Sequence, residues 1–432
     1  MLSRRGFLGA IATPPFAVTL TDLEARLRLG QLLERARQDP RPAAEFAADE
    51  PFWREIQQAF PVDRSLTNLN NGGVSPSPSV VHEKYEQRLR TCNDAPPYHM
   101  WKVLDPGREI VRRQLAHVVG CEADELAITR NSTESLITCQ HGIDLTAGDE
   151  VLTTDQDYPR MLQAFRQRER RQGIVVRKIE LPVPCVSDAD VVERFAAAIT
   201  DRTKLILVCH VINLTGQILP VREVCAMARK RGIAVIVDGA HAIAHFPFRI
   251  DELGCDYYGS SLHKWLFAPI GTGLLYVRKE RIKDLWPLFA AREELDDDIR
   301  KFEEIGTHPA ATGLGIAEAL TFHHGLGAER KLARLVLLRD RWVKALAGSD
   351  RVRLQTDLAA GRAGAIATVQ VVGIDTGKLA AHLWDDHRIL TAPIKHARFE
   401  GLRVSPSVYT TTDEVDRFVE VMTSVIRDGL PT

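Results

Sequence analysis

A chain of 432 residues has material for one large domain and a smaller second one. Its 45% hydrophobic and 26% charged residues match an ordinary globular protein and exclude a disordered or fibrous chain. A formal net charge of −1, with no long run of one sign, excludes the basic field that nucleic-acid binding requires.

The chain begins MLSRRGFLGAIATPPFAVTL, with Arg4 and Arg5 ahead of a short apolar stretch. That stretch, Gly9 to Leu20, contains Pro14 and Pro15 and is too short to span a membrane. Ser3-Arg4-Arg5-Gly6-Phe7-Leu8 resembles a bacterial twin-arginine (Tat) export signal. The expectation is a signal over residues 1–20, a Tat machinery partner and a periplasmic destination. Residues 21–60 read as a charged helical lead-in, part of an N-terminal segment (21–80) expected to pack on the C-terminal domain. From about 105 to 285, the runs ELAIT, EVLTT, VRKIEL, LILVCHV, IAVIVDGA and GLLYVRK alternate with amphipathic stretches. Apolar runs separated by helices predict a mostly parallel sheet in an α/β domain, placed at 81–325. LGIAEALTFHHGL predicts a long bridging helix. Beyond it, helix, strand (AIATVQVVG), helix, strand (GLRVSPS) and helix predict a smaller α+β domain over 326–432. The seven cysteines are odd in number and form no CxxC, so neither a disulfide framework nor a metal site is expected.

Four motifs carry chemistry. Thr129-Arg130-Asn131-Ser132-Thr133-Glu134-Ser135 follows ELAIT and opens a helix. Asn131 and Glu134 have capping-box spacing, and the free N–H groups of a first turn suit a phosphate. His210-Val211-Ile212-Asn213 ends LILVCHV and sets Asn213 at the carboxyl edge of a strand. Asp238-Gly239-Ala240-His241 ends IAVIV, so the Asp238 carboxylate faces the crevice where α/β sheets bind ligands and needs a partner there. Ser260-Ser261-Leu262-His263-Lys264-Trp265, ahead of Gly271-Thr272-Gly273, brings a lysine 26 residues after Asp238. Singly, these are a capped helix, a turn asparagine, a strand-end carboxylate and a surface lysine. Together they supply an amine that condenses with an aldehyde and a carboxylate that keeps a pyridine nitrogen protonated. A pyridoxal 5′-phosphate (PLP) site needs that combination.

In this order the motifs are similar to those of the class V aminotransferase family of fold-type I PLP enzymes, over roughly residues 65–425. The branch resembled is the isopenicillin N epimerase-like one. LTNLNNGGVSPSP, ITRNSTESL, DQDYPRMLQAF, HVINLTGQILPV, VDGAHA, SSLHKWLFAPIGTG, FEEIGTHP and LRVSPSVYTTTDEVDRFV carry the resemblance. It implies a large α/β domain with a seven-stranded, mostly parallel sheet and a small α+β domain. Lys264 then corresponds to the PLP-anchoring lysine and Asp238 to the ring-nitrogen partner. Asn213 and His241 correspond to ring-oxygen contacts, and Ser132, Thr133, Ser261 and His263 to phosphate contacts. Thr307 corresponds to a threonine reaching the neighbouring subunit's phosphate, which implies a homodimer. Arg403 corresponds to the arginine that binds the substrate α-carboxylate through a bidentate fork. Relatives stack a ring on the cofactor from the segment matching Asp155-Gln156-Asp157-Tyr158. Gln156 would leave that ring missing, and Tyr158 is assigned both the stacking place and a catalytic one. Tyr98, His99, Trp101 and His308 are further candidates for lining the substrate space.

The implied activity is a PLP-dependent reaction at the amino group or Cα of an amino-acid-like small molecule, by transamination or epimerisation. The fold does not choose between these. Cysteine desulfurases carry a nucleophilic cysteine shortly before the carboxylate-binding arginine. No cysteine follows Cys255 in this chain, which argues against persulfide chemistry. A β-lyase cleaving C–S bonds without that cysteine is the alternative, and a non-catalytic PLP-binding protein the alternative of another class. A nucleotide-binding protein ranks last, because no GxGxxG or P-loop occurs.

Overall fold

The computed structural model describes residues 20–431. The proposed export signal, with Arg4 and Arg5, lies outside the described residues. No helix among the described residues is long and apolar enough to cross a membrane.

The central strands are apolar along their whole length because helices cover both faces of their sheet. In β4 (Thr203–Cys209), Ile206 and Val208 enter one core while Leu205 and Leu207 enter the opposite one. In β5 (Ala234–Asp238), Val235 and Val237 face the first core and Ile236 the second. The remaining strands are β1 (Leu126–Thr129), β2 (Glu150–Thr154), β3 (Val175–Ile179), β6 (Tyr257–Ser261) and β7 (Gly273–Val277). They form one seven-stranded sheet in the order β1-β7-β6-β5-β4-β2-β3. Only β7 runs antiparallel to its neighbours. Val111 and Leu115 of α1 (Arg108–Val119) enter the first core, and Leu136 of α2 (Ser132–Gly142) and Phe165 of α3 (Pro159–Gln172) enter the second. The fold is therefore that of the α/β large domain expected for fold-type I.

The bridging segment departs from expectation. LGIAEALTFHHGL forms α4 (Ile316–Leu326), which stops at Gly327 (φ 81°), and a separate helix α5 (Ala328–Leu346) follows. Glycine adopts that positive φ at no steric cost. The C-terminal unit holds a four-stranded sheet, ordered β10-β11-β9-β8. Its strands are β8 (Val352–Leu354), β9 (Ala367–Val371), β10 (Ala392–Lys395) and β11 (Glu400–Val404). The β8 and β10 strands were not foreseen because each is short and lacks a clean alternation. Trp342 of α5 and Phe418 of the last helix, α6 (Thr412–Asp428), pack with Val369 and Leu402 in this unit's core.

The lead-in residues Phe52, Trp53 and Phe60 share a core with Trp265, Phe267, Leu335 and Tyr409. They thus back the turn that carries Lys264.

Candidate active site

The carboxyl ends of β1, β2, β4, β5 and β6 open on one cleft, a cavity of about 330 Å³. Lys264, Asp238, Tyr158, Ser132, Thr133, Asn213, His241, Ser261, His263 and Arg403 all line it, and Thr307 does not.

At one end lies the start of α2. The Asn131 side chain caps it by accepting from the Glu134 N–H at 2.9 Å. Glu134 reaches back to the Arg130 N–H (2.7 Å) and not to Asn131, so half of the expected capping box forms. Ser261 Oγ accepts from the Ser132 N–H at 3.0 Å and donates to Ser132 Oγ at 2.9 Å, tying β6 to the helix start. His263 donates through Nδ1 to the Thr272 carbonyl at 3.2 Å, which leaves Nε2 for a ligand. This close packing needs glycine at 273, where a Cβ would fall 2.6 Å from Asn131 Cα. Hydroxyls, an imidazole and free N–H groups at a helix N-terminus make an anion site.

Deeper in the cleft, Asp238 ends β5 and is 5% exposed, with Oδ1 accepting from the Ala240 N–H at 3.0 Å. Burial pushes its carboxyl up, opposed by that N–H and by Lys264. Burial likewise holds the Lys264 amine below the usual lysine range, opposed by Asp238 and assisted by the Arg403 cation. Lys264 Nζ and His241 Nε2 lie 3.1 Å apart. Burial and these two cations keep the His241 ring neutral. With Nε2 accepting from the amine, Nδ1 carries the ring proton, and that buried N–H has no partner.

Arg403 reaches the cleft from β11. It donates through Nη1 to the Asn213 carbonyl (2.9 Å) and through Nη2 to Asn70 Oδ1 (2.8 Å), while its buried Nε is unpartnered. Burial lowers its guanidinium to about 10, so it stays cationic at neutral pH. It makes no ion pair among the described residues, so a ligand carboxylate would be its counter-ion.

Asn213 Oδ1, His241 Nδ1 and Arg403 Nε are thus three buried polar atoms awaiting partners in one cavity. Buried polar groups are rarely left unbonded, so these walls fit a polar ligand. An anion site at one end, an aldehyde-reactive amine and a buried carboxylate fit PLP in particular.

Tyr158 lines the cleft at 37% exposure, whereas Gln156 is fully buried and donates to the Leu181 carbonyl at 2.9 Å. Thr133 lines the cleft too. Thr307 is exposed and stands outside its own chain's cleft. Tyr98, His99, Trp101 and His308 do not border their own chain's cavity. Tyr98 and Trp101 are surface residues, and His308 accepts from Arg108 at 3.0 Å. The sequence reading missed Gly72, Gly73 and Cys209 at the cleft, and Asn70, whose Oδ1 accepts from Arg403. It also missed buried Asp157, which accepts from the Cys209 N–H at 3.1 Å. The stretch LTNLNNGGVSPSP was the available signal, but its two turn glycines and paired asparagines carry no role until Arg403 is brought to them.

Residues 67–418 match the family model described as aminotransferase class-V. An isopenicillin N epimerase from Amycolatopsis lactamdurans is 32% identical over 389 residues, covering 86% of this chain and 98% of that protein. Among solved structures, a cysteine desulfurase from Thermococcus onnurineus NA1 superposes with a TM-score of 0.77 at 22% identity, over 87% of this chain and 98% of that one. A C-DES variant with glycine covalently linked to the PLP cofactor superposes with a TM-score of 0.75 at 21% identity, over 85% and 98% of the two chains. These findings and the cleft agree, and the chain belongs to the class V aminotransferase family of PLP-dependent enzymes, acting at the amino group or Cα of amino-acid-like substrates.

Proposed function

We propose that this enzyme inverts the configuration at Cα of an amino-acid-like substrate, as an epimerase of the isopenicillin N epimerase kind. The observation that carries the reading is the approach of Lys264 and Tyr158 to one cleft from different strands. Lys264 follows β6 and Tyr158 follows β2, and β5 and β4 lie between them in the sheet. Two proton carriers at separated positions suit removal of a Cα proton on one side and its return on the other.

In this reading Ser132, Thr133, Ser261 and His263 hold the cofactor phosphate, and Asn213 and His241 contact the ring oxygen. Asp238 holds a proton at the ring nitrogen, and Lys264 anchors the cofactor. Bound there, PLP supplies an electron sink for the charge left at Cα. Arg403 holds the α-carboxylate and fixes the angle of the Cα–H bond. The Lys264 amine, its basicity reduced by burial, takes the Cα proton at Nζ. The Tyr158 hydroxyl returns a proton from the other side.

The desulfurase alternative requires a reactive cysteine. Cys209 borders the cleft, but burial, reinforced by Asp157 and Asp238, pushes its thiol well above the usual range, so it stays protonated. We infer that no persulfide forms on a cysteine of this enzyme, which leaves a C–S lyase that needs no protein thiol as the alternative.

We also propose a homodimer in which Thr307 serves the partner's phosphate site. Tyr98, Trp101, Val103 and Ile110 form an exposed apolar set that a second copy would cover. Export by the Tat pathway to the periplasm remains part of the proposal. Replacing Arg4 and Arg5 by lysine is expected to retain the protein in the cytoplasm, as read by cell fractionation.

The deciding experiment incubates the loaded enzyme with a panel of L- and D-amino acids and peptides in D2O. Epimerisation gives deuterium at Cα with the opposite configuration and no keto acid. Keto acid would establish transamination instead, and sulfide release a C–S lyase. Borohydride reduction is expected to fix PLP to Lys264 and to label nothing in Lys264→Ala.

A further inference from the structure

Trp265, the residue after Lys264, is gripped by two buried basic side chains. The His245 ring stacks on its indole with centroids 4.0 Å apart and planes 14° apart. The Lys331 amine, from α5, donates to its backbone carbonyl. Lys331 Nζ also lies 4.1 Å from the ring centroid of Phe267. Phe267 has φ 62°, a left-handed conformation that a bulky residue keeps only when its surroundings hold it. The turn carrying Lys264 is therefore held in a shape it would not adopt alone.

Both grips lead to the C-terminal unit. His245 Nε2 accepts from the Ala365 N–H at 2.7 Å, and His245 Nδ1 donates to the His241 carbonyl at 2.8 Å. A backbone N–H can only donate, so the tautomer is forced and the ring is neutral. Gly364 makes room for it, since a Cβ there would fall 2.3 Å from Nε2. Ala365 leads into β9, which pairs with β11 and hence with Arg403 through the Thr368–Arg403 register. Lys331 is fully buried and forms no ion pair with any carboxylate among the described residues. A wholly structural apolar side chain would fill its space without the desolvation cost, so its retained amine points to a specific task.

We propose that His245 and Lys331 are positioning residues that lock the Lys264 turn to the C-terminal unit, so that the Lys264 amine and the Arg403 guanidinium keep a fixed separation. The proposal rests on Lys264 being the working amine. His245 touches the His241 carbonyl, Lys331 touches the Trp265 carbonyl, and neither lines the cleft.

The test compares Lys331→Met, His245→Gln and His245→Asn with Leu335→Ala, a core truncation on the same helix. Two readouts are used: the pH midpoint of Lys264 acylation by trace acetic anhydride in cofactor-free protein, and the rate of PLP loss from loaded protein. The groups facing the Lys264 amine are Asp238, Arg403, His241, His263 and Cys209, and none is altered. The clamp variants are expected to move the midpoint by roughly half a unit or more and to speed PLP loss about ten-fold. Glutamine can still accept from Ala365, so His245→Gln should be milder than His245→Asn, which keeps only a donor toward His241. Clamp variants that match Leu335→Ala in both readouts at equal loss of melting temperature would overturn the proposal. If Lys331→Met does not fold, the graded His245 pair decides alone. A wild type that fails to anchor PLP on Lys264 refutes the role of that lysine, while the cofactor-free midpoint still reads the clamp.

Discussion

Asn70 Oδ1 accepts from Arg403 Nη2 at 2.8 Å, joining residues 333 positions apart behind an arginine that lines the cleft. With the Asn213 carbonyl on Nη1, it directs the guanidinium while adding no negative charge. Asn70→Ala should therefore loosen the fork without discharging it. The expected result is a KM raised about ten-fold with kcat changed much less, because orientation toward the carboxylate is lost more than chemistry. Asn70→Asp should be worse than Asn70→Ala, since a carboxylate would occupy the Arg403 charge that the substrate needs. Steady-state kinetics on the best substrate from the panel check both.

Tyr158→Phe removes a hydroxyl and keeps the ring. If Tyr158 returns the proton, inversion should fall by roughly 10²-fold or more, while exchange of the Cα proton of the substrate isomer served by Lys264 persists. NMR in D2O follows exchange and a chiral assay follows inversion. Equal loss of both rates would assign Tyr158 to cofactor stacking alone.

Gly273→Ala drives a methyl group into Asn131 Cα, backbone that cannot rotate away. The start of α2 must shift, and with it the Ser132–Ser261 pair. PLP affinity should fall by about ten-fold or more, with a smaller effect on the affinity of the cofactor-free protein for a substrate carboxylate. Fluorescence titration with PLP measures the first and calorimetry with substrate the second.

Acid sensitivity follows from two buried imidazoles. Burial lowers His210 and His245 to about 3 from an ordinary 6.5. Their folded values lie below their unfolded ones, so the stability they contribute is complete above pH 6.5 and is lost as pH falls toward 3. Each is linked to a loss on the order of a few kcal/mol across that window. Urea unfolding between pH 7 and pH 4 should show a steep decline in wild type. His245→Gln should lower stability at pH 7 yet flatten the decline, because a glutamine takes up no proton. An unchanged slope would mean that the ring protonates within the fold.

The large-domain architecture was legible because it is written locally. A strand buried on both faces must be apolar throughout, as in AVIVD, and a carboxylate at its end must face the ligand crevice. Helix caps such as Asn131 and the order of the four motifs are equally short-range. That information sufficed for PLP, and it named Asp238, Lys264 and, through its resemblance, Arg403, which the structure brings to one cleft. What it could not carry was any relation set by the packing of distant segments. Tyr158 faces the cleft while Gln156 turns to Leu181, a choice made by the backbone of one turn against its neighbours. Asn70 acquires a role only once β11 is laid beside it. His245 and Lys331 belong to none of the four motifs and stand out only once both are found on Trp265. Their burial and pairing follow from how the C-terminal unit seats on the large domain, and that seating is a sum of long-range contacts that no local pattern encodes.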